Sequence, residues 1–182
     1  MTQHYSNCLD SDTNSVLKLY LFKNIQNLDV IRNNIKNGVW KCAAIKPSLI
    51  LDPFQVAVAA NRAAVAKTLD NMVTRTVYGE ILYNLSLTKN ISQSLLKFGA
   101  DKDNALLFCF LSTEADEDSK AVLNQIDGEM TSISELRFYT DLEEIKSAYK
   151  LSNLKSDDDL LDNIVSRMVT KNFKIHYSSM PH

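Results

Sequence analysis

Glycine and histidine, on which many common active sites depend, are scarce in this chain of 182 residues. The four glycines stand far apart, whereas a phosphate-binding loop or a dinucleotide-binding turn needs clustered glycines so that the backbone can approach phosphates. The three histidines, His4, His176 and His182, all lie near the chain ends. Metal ligation and acid–base chemistry by histidines of a rigid core are therefore not expected, and we expect no metal and no cofactor.

Cysteine is also sparse, and its spacing argues against a zinc or redox site. Cys8, Cys42 and Cys109 are widely separated and odd in number. Cys109 lies in an apolar stretch, where a thiol usually behaves as a small buried hydrophobe. Unpaired cysteines are typical of a reducing compartment, so we expect the protein in the cytoplasm and the nucleus.

Long hydrophobic runs and a strong net charge are missing as well. The longest apolar runs, 105–111 and 54–60, are too short to cross a bilayer, and the polar first residues give no secretory signal. The formal net charge of −2 argues against a general nucleic-acid coat, but it leaves a local basic face open. We expect one domain over residues 13–175, flexible tails at 1–12 and 176–182, and no membrane contact.

Hydrophobic periodicity predicts short strands separated by helices. Apolar residues alternate along one predicted strand, 16–24, and fill another, 104–112, which we expect at the centre of the sheet. Shorter strands are predicted at 48–51 and 129–133, and the predicted helices start near Asn27, Asp52, Thr74, Asn90, Lys120, Thr140 and Ser156. The predicted fold class is therefore α/β (α+β), a single domain with a small central mixed β-sheet flanked by several helices.

Two of the predicted helices bear on function. The helix that starts at Pro53 is rich in alanine, and its larger apolar residues form one stripe that we expect to face the core: Phe54, Val58, Val65 and Leu69. The last helix carries the apolar residues Leu160, Leu161, Ile164, Val165 and Met168. One interpretation packs this second set on the protein's own sheet, and the other leaves Ile164, Met168 and Phe173 available to a partner groove. The aspartates at 157–159 suit the positive end of the helix dipole better than a cation site.

A set of basic and hydrogen-bonding side chains gathers where acids are few. Its members lie on two predicted helices and the following loop: Asn61, Arg62, Lys67, Arg75, Thr76, Asn84 and Lys89. Such a face can hold a phosphate backbone or the end of a single strand, with Tyr78 or Tyr83 for stacking, while an ordinary solvated surface is the alternative. Glu80, near Arg75 in sequence, is predicted to make a structural ion pair or hydrogen bond rather than to act as a catalytic base.

Several short segments in colinear order resemble one known family. They are LDPFQ at 51–55, AANR at 59–62, TRT at 74–76, EILYNLS at 80–86, NI at 90–91, KFG at 97–99, and LLD, RM and TK within 160–171. Together they resemble the Cgi/TPRKB family, the PRPK-binding subunits of the KEOPS/EKC complex. The resemblance extends from residue 16 to residue 173.

The resemblance implies a non-catalytic subunit. Members of the family bind the N-lobe of a Bud-type (PRPK) atypical kinase, which in turn binds the threonylcarbamoyltransferase subunit. The assembled complex makes N6-threonylcarbamoyl-adenosine in tRNAs that read codons starting with A. The family is linked both to stimulating the kinase and to holding tRNA, notably its 3′ CCA end.

The resemblance also suggests site residues. A kinase contact by the C-terminal helix corresponds to Ile164, Met168 and Val169, and the residues assigned to tRNA are Asn61, Arg62, Arg75 and Lys89. The loop at 86–91 reads SLTKNI where archaeal relatives carry a Ser-Gly-x-Arg-Gln-Ile-like stretch. Lysine stands here in place of that arginine, so a bidentate phosphate contact is not expected.

Two alternative functions stay open at this point. One is a small hydrolase or transferase with an unrecognised site, for which a deep cleft around Glu80 with an activated nucleophile would be evidence. The other is a purely structural kinase-binding scaffold without affinity for RNA.

Overall fold

The computed structural model describes residues 4–112, 118–154 and 156–172. The strands are His4–Cys8 (β1), Val16–Lys23 (β2), Ala43–Ile45 (β3), Leu106–Ser112 (β4) and Glu129–Thr131 (β5). The helices are Leu28–Lys36 (α1), Pro53–Thr68 (α2), Val77–Leu85 (α3), Ile91–Phe98 (α4), Asp118–Leu123 (α5), Leu142–Ala148 (α6) and Leu160–Thr170 (α7). Short 3₁₀ turns occupy Ser11–Thr13, Pro47–Leu49 and Ile133–Phe138. Within the described ranges, no helix has the length and apolar character needed to cross a membrane.

The five strands form one sheet with β2 and β4 at its centre. The order is β1-β2-β4-β3, and β5 pairs with the part of β2 that β1 leaves free. Every pairing among these strands is antiparallel, so the sheet is antiparallel where the sequence predicted a mixed one. The α+β class with flanking helices is confirmed, as is the central position of the apolar run that forms β4.

The predicted N-terminal tail is wrong for residues 4–8. These residues form β1, which pairs with β2 from His4 opposite Tyr20 to Cys8 opposite Val16. The rings of His4 and Tyr20 stack with their centroids 5.1 Å apart. The composition did not indicate this strand because its residues are mostly polar, and an edge strand needs only backbone pairing and one covered side.

Helices cover both faces of the sheet and create two core clusters. One face, which carries Leu17, Leu19 and Leu21, packs beneath α2, α3, α6 and α7. The opposite face, which carries Phe22 and Phe108, packs beneath α1 and α5. The predicted aliphatic face of the strand 16–24 is therefore confirmed, since its alternate residues meet the larger cluster.

Helix α2 buries its alanines and leaves the two ends of its predicted apolar stripe exposed. Ala59 and Ala63 are fully buried, and the Nδ2 of Asn84 in α3 donates to the carbonyl oxygen of Ala59 at 3.2 Å. By contrast, Phe54 is 49% exposed and Leu69 is 64% exposed. The predicted core stripe is therefore wrong for Phe54 and Leu69, whereas Val58 and Val65 are half-buried. The alanines face the core instead, because their small side chains let α3 approach more closely than large ones would.

The predicted strand at 48–51 is also corrected. Its first residues belong to the 3₁₀ turn Pro47–Leu49, in which the Ile50 N–H bonds back to the carbonyl oxygen of Pro47 at 3.1 Å. Proline at the first position fixes φ for such a turn and has no N–H to give to a sheet. The strand that completes the sheet is β3, whose two alanines carry a weak strand signal.

Two predicted helix caps shift along the chain. Asp141, rather than Thr140, caps α6, because its Oδ1 accepts from the N–H groups of Glu143 and Glu144 at 3.0 Å. The Thr140 hydroxyl instead donates to the Ile50 carbonyl oxygen at 2.8 Å. At the last helix, Asp159 takes the cap position before Leu160, three residues after the predicted Ser156.

A buried hydrogen-bond network joins α2, α3 and the end of α6. The Nε2 of Gln55 donates to the Leu49 carbonyl oxygen at 3.1 Å and to the Tyr149 hydroxyl at 2.8 Å, and its Oε1 accepts from the Leu51 N–H at 2.9 Å. The Tyr149 hydroxyl donates in turn to the Leu85 carbonyl oxygen at 2.7 Å. Gln55 and Tyr149 are both fully buried, so water cannot replace these partners.

We predict that Tyr149→Phe lowers the free energy of unfolding by about 1–3 kcal/mol, because it leaves the Leu85 carbonyl and one Gln55 N–H without a partner in the core. Urea unfolding at constant m value measures the loss. Tyr139→Phe is the matched control, since its hydroxyl makes no hydrogen bond within the described residues. Equal stability of the two variants would show that the network contributes nothing.

Candidate interaction surfaces

The buried carboxylate of Glu80 serves the local fold. Its Oε2 accepts from both the N–H and the hydroxyl of Thr74, each at 2.7 Å, and so holds the segment before α3 against that helix. The predicted structural role is confirmed, but Arg75 is not the partner: Arg62 is the arginine whose pKa the Glu80 charge affects.

Among the described residues, no group of three or more His, Cys, Asp or Glu side chains could hold a metal ion. Asp157 pairs with Lys146 at 2.8 Å.

An apolar surface lies along the outside of α2, exposed at its two ends and half-buried in between. We call Phe54, Val58, Val65 and Leu69 the α2 stripe; it extends for about 22 Å along the helix. A shallow cavity of about 320 Å³ adjoins Phe54 and Val58 and is bordered by residues 7–10. A second, of about 260 Å³, adjoins Val65 and Leu69. Asn61 and Arg62 line both cavities, so they lie in the middle of one long shallow groove.

Asn61 and Arg62 also attach neighbouring elements to α2. The Asn61 Oδ1 accepts from the Asp10 N–H at 2.8 Å, which holds the turn after β1. The Arg62 Nη1 donates to the Met168 carbonyl oxygen at 3.0 Å, in the last turn of α7. Burial lowers the pKa of Arg62, and the charge of Glu80 counteracts that change. Both residues are therefore partly used by their own domain, which leaves them less free for tRNA than the sequence predicted.

The predicted kinase residues do not form an exposed ridge on α7. Ile164 and Met168 are buried in the larger core cluster, whereas Val169 is half-buried. The prediction that Ile164 and Met168 contact a partner is wrong, because their side chains fill the protein's own core. The last helix follows the alternative interpretation in that its apolar residues pack within the protein's own core, although it lies against α2 and α3. Phe173 lies outside the described residues.

Lys171, which the sequence reasoning did not select, holds α7 to the end of α3. Its Nζ donates to the carbonyl oxygens of Tyr83 and Ser86, the latter at 2.9 Å, and lies 3.5 Å from the centroid of the Tyr83 ring. Burial lowers the pKa of Lys171 to about 8, and the charges of Arg62 and Lys89 add to the effect. A lysine just after a helix gives no sequence signal of such a contact, because the contact arises only from how α7 packs.

The two remaining predicted tRNA residues, Arg75 and Lys89, are exposed. Lys89 lies close enough to Lys171 to affect its pKa, but no contact within the described residues joins Arg75 to either lysine. Tyr83 is buried beneath Lys171 and cannot stack on a base, and Tyr78 is half-buried with its hydroxyl 3.4 Å from the Leu111 carbonyl oxygen. Residues 81–100 contain no acid, so the loop between α3 and α4 is a locally cationic surface.

Comparison with known proteins identifies the family of this chain. The sequence matches the family described as "Kinase binding protein CGI-121" over residues 22–172. The EKC/KEOPS complex subunit TPRKB of Danio rerio is 34% identical over 154 residues, which cover 83% of this chain and 88% of that protein. The EKC/KEOPS complex subunit CGI121 of Candida glabrata is 24% identical over 157 residues, covering 84% of this chain and 89% of that protein. That of Aspergillus fumigatus is 28% identical over 148 residues, covering 76% and 78%.

The matched segment begins within β2 and ends just after α7. It therefore contains the α2 stripe, the loop between α3 and α4, and Lys171. A family match over most of the chain, together with a relative at 34% identity, fixes the classification. This chain belongs to the CGI-121 family of kinase-binding proteins.

Proposed function

We propose that this protein is a non-catalytic subunit of a KEOPS/EKC complex that binds the Bud-type (PRPK) kinase through the α2 stripe and engages tRNA through the loop that carries Lys89. Through the kinase it would reach the threonylcarbamoyltransferase subunit and assist the synthesis of N6-threonylcarbamoyl-adenosine in tRNAs that read codons starting with A. We further propose that it acts in the cytoplasm and the nucleus. The outward α2 stripe is the observation that carries the kinase part of this proposal.

The stripe has the properties of a protein-binding surface. Burial of a side chain such as Phe54 or Leu69 contributes about 1.5–3 kcal/mol, so leaving both exposed is a cost that a partner can recover. Arg62 lies in the middle of the groove, and arginine surrounded by apolar side chains is common among residues that dominate binding energy. Val169 lies on α7, which packs beside α2. We therefore retain Val169 as a proposed kinase contact at the edge of the α2 stripe.

The tRNA part of the proposal is supported by charge. Lys89 and Arg75 are exposed cations, and the acid-free segment 81–100 lets the field of Lys89 act without local cancellation. A single lysine attracts a phosphate as a point charge and not by a bidentate contact, so this surface suits modest, salt-sensitive binding. Asn61 and Arg62 contribute less, because their hydrogen bonds to Asp10 and Met168 occupy them.

The enzyme alternative receives no comparable support. The carboxylate of Glu80 accepts two hydrogen bonds from Thr74, and the two cavities are open and shallow. A kinase-binding scaffold without RNA affinity remains the competing proposal, and the tRNA experiment below distinguishes it.

Leu69→Glu is predicted to weaken binding of the PRPK kinase about 100-fold or more, because a carboxylate would be buried without a partner at the interface. Val30→Glu, at an exposed position of α1 on the other side of the sheet, makes the same kind of change away from the stripe. Isothermal titration with purified kinase measures both affinities. If both variants bind the kinase like the unmodified protein, the stripe is not the interface.

Cys8 provides an independent measure of the same contact. It is exposed and lines the groove beside Phe54, whereas Cys42 and Cys109 are buried. We predict that saturating kinase slows alkylation of Cys8 by a maleimide at least tenfold, because the partner would cover the thiol. Mass spectrometry of the modified peptide gives the rate. If the rate of Cys8 alkylation is unchanged in a complex shown to be intact, the kinase does not bind at this end of the groove.

The double change Arg75→Glu with Lys89→Glu is predicted to weaken tRNA binding and to reduce the slope of log K against log salt by about 1–2, as expected for the loss of two phosphate contacts. Lys36→Glu with Lys41→Glu changes the net charge equally at exposed positions around α1. Fluorescence anisotropy over a range of salt concentrations measures both. Equal binding by the two double variants would favour the scaffold without RNA affinity.

A further inference from the structure

The carbonyl groups at the end of α3 depend on a side chain from another helix. The last carbonyls of a helix have no partner within it, and here the chain turns to an extended conformation at Ser86. Tyr83 and Ser86 are buried, so water is not available to their carbonyl oxygens. Lys171 donates to both carbonyls, and it is a charged donor, which makes these hydrogen bonds stronger than neutral ones.

The loop that follows α3 is held by hydrogen bonds that start at Ser86, the residue that Lys171 contacts. The Ser86 Oγ accepts from the Thr88 N–H at 3.2 Å, and the Thr88 Oγ1 accepts from the Asn90 N–H at 3.1 Å. Lys89 lies between these two anchored residues. The position of the Lys89 backbone therefore depends on the place where Lys171 holds Ser86.

Helix α2 holds the end of α7, the helix that Lys171 follows. Arg62 donates to the Met168 carbonyl oxygen, three residues before Lys171, and so holds the last turn of α7. The charges of Arg62 and Lys89 lower the pKa of Lys171, the charge of Glu80 raises it, and the ring of Tyr83 lies beneath the ammonium. Three cations and one carboxylate leave a positive excess in a partly buried place, where charge is less screened than on an open surface.

We propose that Lys171 belongs to the RNA site, where it positions the Ser86–Lys89 loop and supplies, with Lys89, the positive charge that attracts a phosphate group of the nucleic acid. This inference rests on the proposed tRNA binding and adds a residue that neither the sequence nor the family description assigns. Lys171 acts partly by positioning the loop, because two of its three N–H groups donate to carbonyl oxygens. The phosphate relieves the repulsion among the three cations.

The inference has a pH signature that separates it from a merely structural role. Since the pKa of Lys171 is about 8, its charge is lost as the pH rises from 7 to 9.5, and the attraction for phosphate falls with it. Unfolding does not explain such a loss. An unfolded lysine titrates near 10.4, so the unfolded state binds more protons in this window, and the contribution of Lys171 to stability rises with pH.

The test is tRNA binding by the full chain at constant ionic strength between pH 7 and 9.5, using fluorescence anisotropy. The unmodified protein is expected to lose about three- to tenfold in affinity across this range, in excess of any change shown by Lys171→Arg, which stays charged throughout. Lys171→Met is expected to bind about tenfold more weakly at pH 7 and to show no excess pH dependence. Its kinase affinity and thermal midpoint serve as controls for folding.

Two results would overturn the inference while leaving the proposed function intact: Lys171→Met binding tRNA as tightly as the unmodified protein, or identical pH profiles for the unmodified protein and Lys171→Arg. Absence of tRNA binding by the unmodified protein at pH 7 would instead overturn the tRNA half of the proposed function and this inference with it. If Lys171→Met does not fold, the comparison of the unmodified protein with Lys171→Arg decides the matter alone.

Discussion

The hydrogen bonds of Gln55 and Tyr149 are the constraint on which the helical layer depends. A buried amide and a buried hydroxyl must both find partners, and here they do so only when α2, α3 and the end of α6 meet in one arrangement. That arrangement brings the alanines of α2 against α3, with Asn84 donating across the contact. The orientation of α2 about its own axis is thereby fixed.

Fixing that orientation has consequences at both candidate surfaces. Phe54 and Leu69 at the two ends of the α2 stripe point away from the core and are left exposed by the described part of the chain. On the same helix, Arg62 reaches the last turn of α7 and helps to place Lys171 at the end of α3. The proposed kinase surface and the proposed tRNA surface therefore depend on the same contacts between α2, α3 and α7.

Much of the local structure could be predicted from short-range signals. The alternation of Leu17, Leu19 and Leu21 identified β2, and Asp52 with Pro53 identified the start of α2, because strand alternation and helix capping are set by a few adjacent residues. The candidate site was predicted less well. Lys89 was selected from its acid-poor surroundings and the family resemblance and stays a prediction for tRNA, whereas Lys171 was not selected because its partners lie more than eighty residues away.

The sequence by itself determined the class of fold, most helix and strand positions and, through the family resemblance, the family. Only the tertiary structure decided which face of each helix is buried. The apolar pattern of α2 predicted that Leu69 is buried, whereas the pattern of the last helix left Met168 open to either the core or a partner. In the structure Leu69 is 64% exposed and Met168 is buried. The buried face of a helix is the one that lets neighbouring elements pack closely while every buried polar group finds a partner. Both conditions depend on contacts between distant parts of the chain.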